Sequence, residues 1–369
     1  MDFKGNVKAI LRTTFIFLNN VYCIPTFLLW MLTLRPLLYI KPALYWWIEG
    51  TIFHWLLLLI SNWLWMAGYY IAEVGEDVTE CCNDKCLVLV NHQSTGDVFV
   101  LMNSLQNKGT TSARVCWIMD YIFKYTNFGM VSQCHGDFFI QQGKEYRDKQ
   151  LEYLKRHLLD VYLPRDRQWI FLFPEGGFLR KRRLNSQKYA RKNSYPVLEH
   201  VTLPRIGAMN TILKTLVLPK QIEVSNGYIC KQDIPILKWV IDITIGYPKN
   251  QPLDIFQVLS GKRPSCTTVL YYRKYPISEI PTNEEQLLRW MYSRFEEKER
   301  MLETFYASGE FVVDRAYHRA DNCGKLITKP CRVELDVVKI WLLNSLFVLS
   351  SYFHCYLISL GWHWLMGCL

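Results

Sequence analysis

Three long apolar runs flank a central stretch of shorter patterns in this chain. The runs Thr13–Leu34, Gly50–Ile71 and Ile340–Leu369 contain no aspartate, glutamate, lysine or arginine. A helix needs about 20 apolar residues to cross the hydrocarbon core of a bilayer. The pattern therefore predicts membrane helices near both ends of the sequence. The first two could cross the bilayer or re-enter it, and the third could form one tilted span or a short helical hairpin.

Between about Cys81 and Val313, short apolar runs alternate with amphipathic ones. Cys86–Val90 is continuously apolar, which is typical of a strand buried on both faces of a sheet. Further strands are predicted at Arg114–Met119, Trp169–Phe173, His200–Leu203, Lys238–Tyr247 and Thr268–Tyr275. Helices are predicted at Lys144–Leu159 and after a capping box formed by Thr282 and Glu285. This alternation predicts an α/β domain, with a mixed sheet flanked by helices.

These patterns predict four segments: a membrane region with two apolar helices (1–80), a globular α/β domain (81–313), a polar connector (314–339) and a C-terminal transmembrane segment (340–369). Lys4, Lys8 and Arg12 precede the first apolar run, so the positive-inside rule places the N-terminus in the cytosol. The domain shares that side if both early helices cross or both re-enter the bilayer. If only one of them crosses, the orientation is reversed.

Charge and cysteine content narrow the possible partners. The 369 residues have a net charge of +10, which suits nucleic acid, anionic lipid or phosphate-bearing substrates. The apolar runs favour lipid over nucleic acid. Most of the 12 cysteines are scattered, and the one cluster, Cys81, Cys82 and Cys86, lacks the paired spacing of a zinc site. We therefore predict reduced thiols and no metal site.

The sharpest chemical signal is the segment Asn91–Asp97, which follows the strand that ends at Val90. A histidine at a strand end stands on a rigid base, and imidazole is a usable base near pH 7. The intervening turn could bring Asp97 back to His92, where the carboxylate would fix the ring tautomer. On spacing alone, a loop histidine beside an unrelated N-cap aspartate is an equally simple interpretation.

A second signal is the apolar strand Trp169–Phe173, which runs into the sequence Pro-Glu-Gly-Gly. Gly176 and Gly177 would let the backbone approach a ligand and turn N–H groups toward an anion. Glu175 could accept hydrogen bonds from a hydroxylated acceptor. An ordinary strand-to-turn transition is the alternative interpretation. Glu175 lies 83 residues after His92 (175 − 92).

Together, Asn-His-x-x-x-x-Asp at 91–97 and Phe-Pro-Glu-Gly at 173–176 resemble the glycerolipid acyltransferase family, whose hallmark motifs occur in this order and at a similar separation. Gly136–Ile140 looks like the second block of the family and Val201–Arg205 like the fourth. The stretch Asp242–Tyr247 resembles the branch that acylates lysocardiolipin. Over nearly its whole length, the chain is most similar to the branch that acylates lysophosphatidylglycerol.

The resemblance implies direct acyl transfer from acyl-CoA to a lysophospholipid hydroxyl, with acyl-CoA as co-substrate and neither a cofactor nor an acyl-enzyme. His92 would act as the general base, and Asp97 would orient it. The substrate-binding residues expected from the resemblance are Glu175, Gly176, Gly177, Gly136 and Arg205. A serine nucleophile at Ser94 is disfavoured, because the motif Gly-x-Ser-x-Gly is absent there. The expected site of action is the endoplasmic reticulum membrane, with the domain facing the cytosol.

The chain departs from the family pattern at two places. The second block usually ends in arginine, but Gln141-Gln142 follows here, with Lys144 and Arg147 as the nearest cations. The third block usually continues to an arginine, but Gly177-Phe178 follows here, and cations return in the basic tract Arg180–Lys192. That tract could meet lipid phosphates, CoA phosphates or only solvent. Lysophosphatidylglycerol is the expected acceptor and lysophosphatidylethanolamine a close competitor; a monoacylglycerol acyltransferase and a catalytically silent membrane scaffold are the alternatives.

Overall fold

A computed structural model describes residues 3–217, 220–223, 229–232, 235–313 and 325–367. The helices are α1 (Phe3–Thr33), α2 (Leu37–Ile40), α3 (Pro42–Met66), α4 (Asp97–Ser104), α5 (Asn127–His135), α6 (Arg147–His157), α7 (Leu179–Lys192), α8 (Gly207–Leu216), α9 (Ile255–Ser260), α10 (Glu284–Ser308) and α11 (Val337–Gly367). The strands are β1 (Tyr69–Glu76), β2 (Cys86–Val90), β3 (Val115–Asp120), β4 (Phe138–Ile140), β5 (Trp169–Leu172), β6 (Lys220–Glu223), β7 (Ile229–Gln232), β8 (Trp239–Gly246), β9 (Cys266–Pro276) and β10 (Leu326–Arg332).

The predicted membrane helices are confirmed. Within the described residues, α1, α3 and α11 are the helices that are long and apolar enough to cross a bilayer. The Trp63 indole donates to Asn19 Oδ1 at 3.1 Å, and the Tyr45 hydroxyl donates to Met31 O at 3.3 Å. The middle of α1 therefore lies beside the end of α3, and the end of α1 lies beside the start of α3, so the two helices are antiparallel. The third apolar run forms one continuous helix, α11, rather than a hairpin.

The domain contains the predicted mixed sheet flanked by helices. The strand order is β10-β1-β9-β8-β2-β5-β3-β4, and β6 with β7 forms a separate antiparallel pair. Strands β8, β2, β5, β3 and β4 are mutually parallel, whereas β9 is antiparallel to β8. We call the end at which the five parallel strands finish the carboxyl end of the sheet. Because those strands end side by side, the residues that follow them meet there.

Strand β2 shows how the sheet is buried on both faces. Val88 and Val90 pack in a core with side chains of α1, α3 and α4, whereas Leu87 and Leu89 pack in a second core with side chains of α6, α8 and α10. Alternate side chains of a strand point to opposite faces, so the continuous apolar run fills both cores. The membrane helices α1 and α3 therefore share a core with the α/β domain.

A buried ionic contact fixes α3 to the sheet. Glu49 of α3 lies 2.8 Å from His135 Nδ1 and 2.7 Å from Arg167 Nη2, and all three side chains are at most 1% exposed. A buried carboxylate is tolerated only when it is paired and hydrogen-bonded. The Phe53 ring stacks on His135 with a centroid distance of 3.6 Å. Helix α3 is thus held to the domain by both charge and packing.

The sheet extends beyond the predicted domain boundaries. Tyr69–Ile71, predicted as the end of the second apolar helix, belongs to β1, which pairs with β9 inside the sheet. The sheet therefore begins ahead of residue 81. At the other boundary, β10 lies within the predicted connector and pairs with β1. Residues 314–324 of that connector lie outside the described residues.

Two further local predictions are wrong. Residues 200–203 form a loop rather than a strand, and carboxylates of other elements bind its backbone N–H groups in place of a neighbouring strand. The N-cap of α10 is Asn283 rather than Thr282, and its side chain accepts from the N–H groups of Glu285 and Gln286 at 3.0 and 3.2 Å. An asparagine one residue later competes with the threonine as a cap, and sequence spacing does not decide between them.

Candidate active site

His92 follows β2 at the carboxyl end of the sheet. Its backbone N–H donates to Glu175 Oε1 at 2.6 Å, and its carbonyl accepts from the N–H of Leu179 at 2.8 Å. The imidazole stacks on Phe173 with a centroid distance of 4.0 Å and lies 4.5 Å from the ring of Phe178. Main chain and side chain are therefore both fixed by the residues that follow β5.

Asp97 lies against the histidine ring. Its Oδ2 is 2.8 Å from His92 Nδ1 and also accepts from the N–H groups of Gln93 and Ser94 at 2.7 and 2.9 Å. The His92 side chain is 13% exposed, whereas that of Asp97 is fully buried. A carboxylate at Nδ1 favours the tautomer that leaves Nε2 as the acceptor. No protein group in the described part of the chain hydrogen-bonds to Nε2.

The turn between the two residues is built for this contact. Helix α4 begins at Asp97, so the carboxylate also meets the positive end of the helix dipole. A side chain at Gly96 would collide with the carbonyl of Leu253, which accepts from the Gly96 N–H at 3.0 Å. The Ser94 hydroxyl donates to the same carbonyl. The structure thus uses Ser94 to hold the turn.

Glu175 is not placed as the sequence suggested. Its Oε2 accepts from the N–H and hydroxyl of Thr202 at 2.9 and 2.8 Å, while Oε1 accepts from His92 N–H. The residue is only 2% exposed. Burial raises the pKa of Glu175 to about 8, although these hydrogen bonds act in the opposite direction. The carboxylate therefore joins parts of the protein, and its expected contact with the acceptor hydroxyl is replaced by a positioning role.

Gly176 and Gly177 adopt backbone conformations that glycine favours, with φ of 69° and 150°. A Cβ at Gly176 would lie 3.3 Å from the guanidinium carbon of Arg205, and one at Gly177 would lie 2.9 Å from Arg182 Nε. Arg182 also donates to the carbonyl of Gly176 at 2.7 Å. The two glycines therefore leave room for arginines to approach the loop that follows β5.

Arg147, Arg182 and Arg205 form what we call the cationic cluster. Partial burial, followed by the charges of Arg182 and Arg147, lowers the pKa of Arg205. Arg182 donates to the side chain of Gln142, the residue of the second block that stands near the expected arginine. Among the described residues, no carboxylate lies within ion-pairing distance of these three arginines. Clustered, uncompensated guanidinium groups suit a phosphate ligand.

Gly136 lies away from this site. It precedes β4, so it stands at the end of the sheet opposite to His92. With φ of 96° it terminates α5, its N–H donates to Ser132 O, and its carbonyl accepts from His157 Nε2 at 2.9 Å. Gly136 is therefore a helix C-cap, and the structure contradicts its expected contact with substrate. The part of the second block that reaches the site is Gln142, which follows β4.

The sequence pattern missed two contributors to the site. Glu299 of α10 accepts hydrogen bonds from three consecutive N–H groups, those of residues 199–201, at 2.7 to 3.0 Å. Tyr247, which follows β8, donates from its hydroxyl to Asp97 Oδ1 at 2.6 Å. Neither residue lies within a hallmark motif near His92 in sequence. Two sequence signals pointed to Tyr247, its position at the end of the predicted strand Lys238–Tyr247 and its place in the stretch Asp242–Tyr247 that resembles a family branch, but neither indicated its contact with Asp97.

The described residues contain no group of three His, Cys, Asp or Glu side chains that could hold a metal ion. The thiols of Cys81 and Cys86 are buried, and Cys82 is partly buried. Burial raises the pKa of the Cys86 thiol well above its ordinary value. These cysteines therefore behave as small apolar core residues.

Comparisons with known proteins agree with the geometry. The family described as Acyltransferase matches residues 71–205, and the family described as Acyltransferase C-terminus matches residues 257–340. Acyl-CoA:lysophosphatidylglycerol acyltransferase 1 of Mus musculus is 45% identical over 363 residues, which cover 96% of this chain and 95% of that protein. The protein of the same name from Homo sapiens is 43% identical over 360 residues, with coverage of 97% and 95%.

More distant similarities are also found. Lysocardiolipin acyltransferase 1 of Gallus gallus is 26% identical over 314 residues, which cover 85% of this chain and 75% of that protein. Among solved structures, the crystal structure of the 1-acyl-sn-glycerophosphate acyltransferase PlsC from Thermotoga maritima has a TM-score of 0.40 and 12% identity, covering 80% of this chain and 98% of that one.

Proposed function

Because this chain belongs to the acyltransferase family, we propose that it transfers an acyl group from acyl-CoA to the free hydroxyl of a lysophospholipid, with lysophosphatidylglycerol as the preferred acceptor. The observation on which this depends is the hydrogen-bonded pair of His92 and Asp97 beside the cationic cluster. The names of the two relatives that match nearly the whole chain support the same donor and acceptor.

His92 is proposed as the general base. Its Nε2 accepts the proton of the lysolipid hydroxyl while the oxygen attacks the carbonyl carbon of the thioester. The bond between that carbon and the CoA sulfur then breaks, and the thiolate takes up the proton from the imidazolium. Asp97 stabilises the imidazolium between these steps, as the carboxylate of a catalytic triad does. Positioned base catalysis typically contributes about 10²–10⁴-fold in rate, and this route needs no acyl-enzyme.

The oxyanion that forms on the thioester carbonyl requires donors close to His92. The loop Gly176–Phe178 contacts the ring through the Phe178 side chain. The N–H of Gly176 donates to Phe173 O at 3.1 Å, so the available donors in this loop are the N–H groups of Gly177 and Phe178. We propose that these N–H groups or a guanidinium of the cationic cluster stabilise the oxyanion. Preorganised donors of this kind are often the largest single contribution to catalysis.

The cationic cluster supports an acceptor that carries phosphate. Three arginines without a carboxylate partner repel one another, and an anion among them relieves that repulsion. Lysophosphatidylglycerol has one phosphate and an uncharged headgroup, so its net negative charge remains available to the cluster. Lysophosphatidylethanolamine carries an ammonium group that the cluster would repel. A monoacylglycerol has no charge to offer, so the cluster disfavours that alternative.

The geometry of the His92–Asp97 dyad argues against a catalytically silent membrane scaffold. A protein that used only the fold would not need a fully buried aspartate that accepts from the histidine ring and two backbone N–H groups. Burying a carboxylate is costly unless its hydrogen bonds are satisfied. This arrangement, together with a His92 Nε2 to which no described protein group hydrogen-bonds, therefore favours catalysis.

We further propose that the domain faces the cytosol from the endoplasmic reticulum membrane. The antiparallel pairing of α1 and α3 returns the chain to the side from which it started, so the N-terminus and the domain share that side. Lys4 and Lys8 precede the apolar part of α1, and basic flanks favour the cytosolic side. Acyl-CoA is a cytosolic thioester, which suits this orientation.

His92→Ala provides the direct test of the function. We expect the purified variant to be folded and membrane-bound but to release no CoA above background from acyl-CoA and lysophosphatidylglycerol, because no other base stands at this position. Thiol release, thermal unfolding and membrane fractionation measure the three properties. Near-normal turnover in the folded variant would contradict the proposal.

Arg205→Ala tests the acceptor. A matrix of acyl-CoA donors against lysophosphatidylglycerol, lysophosphatidylethanolamine and monoacylglycerol should show a higher KM for the phosphate-bearing acceptors in this variant and little change for monoacylglycerol. Loss of one charged hydrogen bond corresponds to roughly tenfold or more in affinity. Arg191→Ala, on an exposed part of α7, is the matched control. An equal loss for charged and neutral acceptors would remove the phosphate role of the cluster.

A further inference from the structure

The stretch Asp242–Tyr247 has no part in the mechanism above. It forms most of β8, which pairs in parallel with β2. The side chain of Asn91 continues that pairing beyond the strand: its amide donates to Ile245 O at 3.2 Å, and its Oδ1 accepts from Ile245 N–H at 2.8 Å. The end of β8 is therefore fixed relative to the segment that contains His92.

Tyr247 reaches the dyad from this fixed strand end. Its hydroxyl lies 2.6 Å from Asp97 Oδ1, and the side chain is fully buried. Burial and the charge of Asp97 raise the pKa of Tyr247 well above its ordinary value. The hydroxyl thus stays protonated, and it acts as the donor in this hydrogen bond.

The contact with Tyr247 satisfies the second oxygen of Asp97, and Glu175 and Tyr306 are the other titratable groups that interact with its charge. His92 Nδ1 and two backbone N–H groups serve Oδ2. Among the described residues, the Tyr247 hydroxyl is the donor that serves Oδ1. Without it, a buried carboxylate oxygen would have no partner, which costs free energy and leaves the negative charge more concentrated.

We propose that Tyr247 is a positioning residue for acyl transfer, which sets the orientation and the basicity of Asp97 and thereby the proton affinity of His92. This inference rests on the acid–base function proposed above. A donor to Oδ1 spreads the carboxylate charge, so Asp97 holds the His92 imidazolium less strongly than an unshared carboxylate would. Proton return from His92 to the CoA thiolate is correspondingly easier.

Tyr247→Phe is the first test. We expect kcat to fall roughly tenfold, the effect of one lost hydrogen bond to a charged group, with KM for acyl-CoA unchanged. The acidic limb of the kcat–pH profile should move to higher pH by about half a unit or more, because the less shared carboxylate favours the imidazolium. The matched control is Tyr162→Phe. That tyrosine is also fully buried, but its hydroxyl donates to Gln168 O at 2.8 Å, at the far end of β5. This control should lower stability without moving the limb.

Two further variants keep the inference testable if Tyr247→Phe does not fold. Tyr247→3-fluorotyrosine retains the ring and the hydroxyl but is a stronger donor, so the acidic limb should move to lower pH. In an Asp97→Asn background, Tyr247→Phe should cause no further loss of kcat, because its effect passes through the carboxylate. The inference would be overturned if the acidic limb of the kcat–pH profile stayed in place in every folded Tyr247 variant. It would also be overturned if Tyr247→Phe lowered kcat by a further tenfold in the Asp97→Asn background.

His92→Ala separates this inference from the function on which it rests. If that variant retains turnover, the acid–base function fails. If it is inactive while the folded Tyr247 variants keep the wild-type kcat and pH profile, the function stands and only the role of Tyr247 is lost.

Discussion

Glu175 connects segments that lie far apart in the chain. Its two oxygens hold the backbone of His92 and both donors of Thr202, which are 83 residues before it and 27 residues after it. The contact with substrate expected of this carboxylate would require an oxygen facing the cleft. Because Glu175 instead links two segments of the protein, its ionisation is expected to affect the stability of the fold.

We predict that Glu175 makes the protein less stable at alkaline pH. Its pKa is raised from 4.5 to about 8 by burial, so between these values the folded protein holds a proton that the unfolded chain has released. This contribution is fully present below the unfolded pKa and is lost as the pH rises through the folded pKa. The melting temperature should therefore fall from about pH 4.5 to about pH 8 and level off above that value, with a shallower fall in Glu175→Gln.

Glu303→Gln is the control for that measurement, because Glu303 lies exposed on α10. Its melting temperature should follow the wild-type pH dependence. If Glu175→Gln lost stability as steeply as the wild type over the same range, another group would account for the effect.

At the residue scale, sequence reasoning succeeded where the partners are close in the chain. His92 and Asp97 are five residues apart, and one turn before α4 brings them together. It failed for Gly136, because a glycine in a family block can serve either a ligand or a helix C-cap, and only the fold shows which end of the sheet it occupies. The contact between Tyr247 and Asp97 spans 150 residues, so only the position of Tyr247 at a strand end, and not its partner, could be predicted from the sequence.

The loop of residues 199–205 is held by other elements rather than by a strand ladder. Glu299 of α10 binds the N–H groups of residues 199–201, and Glu175 binds Thr202. The loop then leads to Arg205, whose N–H donates to Pro174 O at 2.8 Å. Helix α10 therefore positions one member of the cationic cluster through this loop.

We predict that Glu299→Gln weakens acceptor binding. A glutamine keeps the shape but turns an NH₂ group toward backbone N–H groups, so part of the loop loses its acceptor. KM for lysophosphatidylglycerol should rise by about three- to tenfold, with KM for acyl-CoA unchanged in steady-state assays. Glu303→Gln on the same helix should leave both values at the wild-type level. A lower melting temperature with an unchanged acceptor KM would restrict Glu299 to a structural role.

The same loop shows why some elements could be predicted and others could not. The strands β2 and β5 are short, continuously apolar runs, and burial on both faces of a parallel sheet requires that pattern. Residues 200–203 also include apolar side chains, but their N–H groups are satisfied by carboxylates from α10 and from the end of β5. These hydrogen-bond partners come from residues far away in the sequence. The local pattern of apolar residues therefore does not distinguish such a loop from a strand.

At the scale of the whole molecule, membrane helices and catalytic domain form one unit. Side chains of α1 and α3 pack in the same core as β2, and Glu49 joins α3 to His135 and Arg167. The length of the apolar runs predicted these helices well, because a helix that spans a bilayer needs about 20 consecutive apolar residues. It did not show that α3 also belongs to the domain core, since a buried helix and a lipid-facing helix are equally apolar.

Helix α11 leaves more of its apolar surface outside the protein core than α1 and α3 do. Its removal should therefore lower stability without affecting catalysis. Only 11% of its most apolar stretch is buried, and it meets α1 where Asn344 Oδ1 accepts from Asn19 and the Tyr22 hydroxyl at 3.0 and 2.7 Å. Such interhelical hydrogen bonds contribute about 0.5–1.5 kcal/mol each. Among the described residues, α11 has no hydrogen bond to His92, Asp97 or the cationic cluster.

A chain that ends at Asp336 should therefore stay in the membrane fraction through α1 and α3, keep a near wild-type kcat and melt at a lower temperature. Asn344→Ala in the full chain should reproduce part of that loss in melting temperature. If the truncated protein were folded, with a normal KM for acyl-CoA but no turnover of lysolipid, α11 would instead belong to the path by which the acceptor reaches His92.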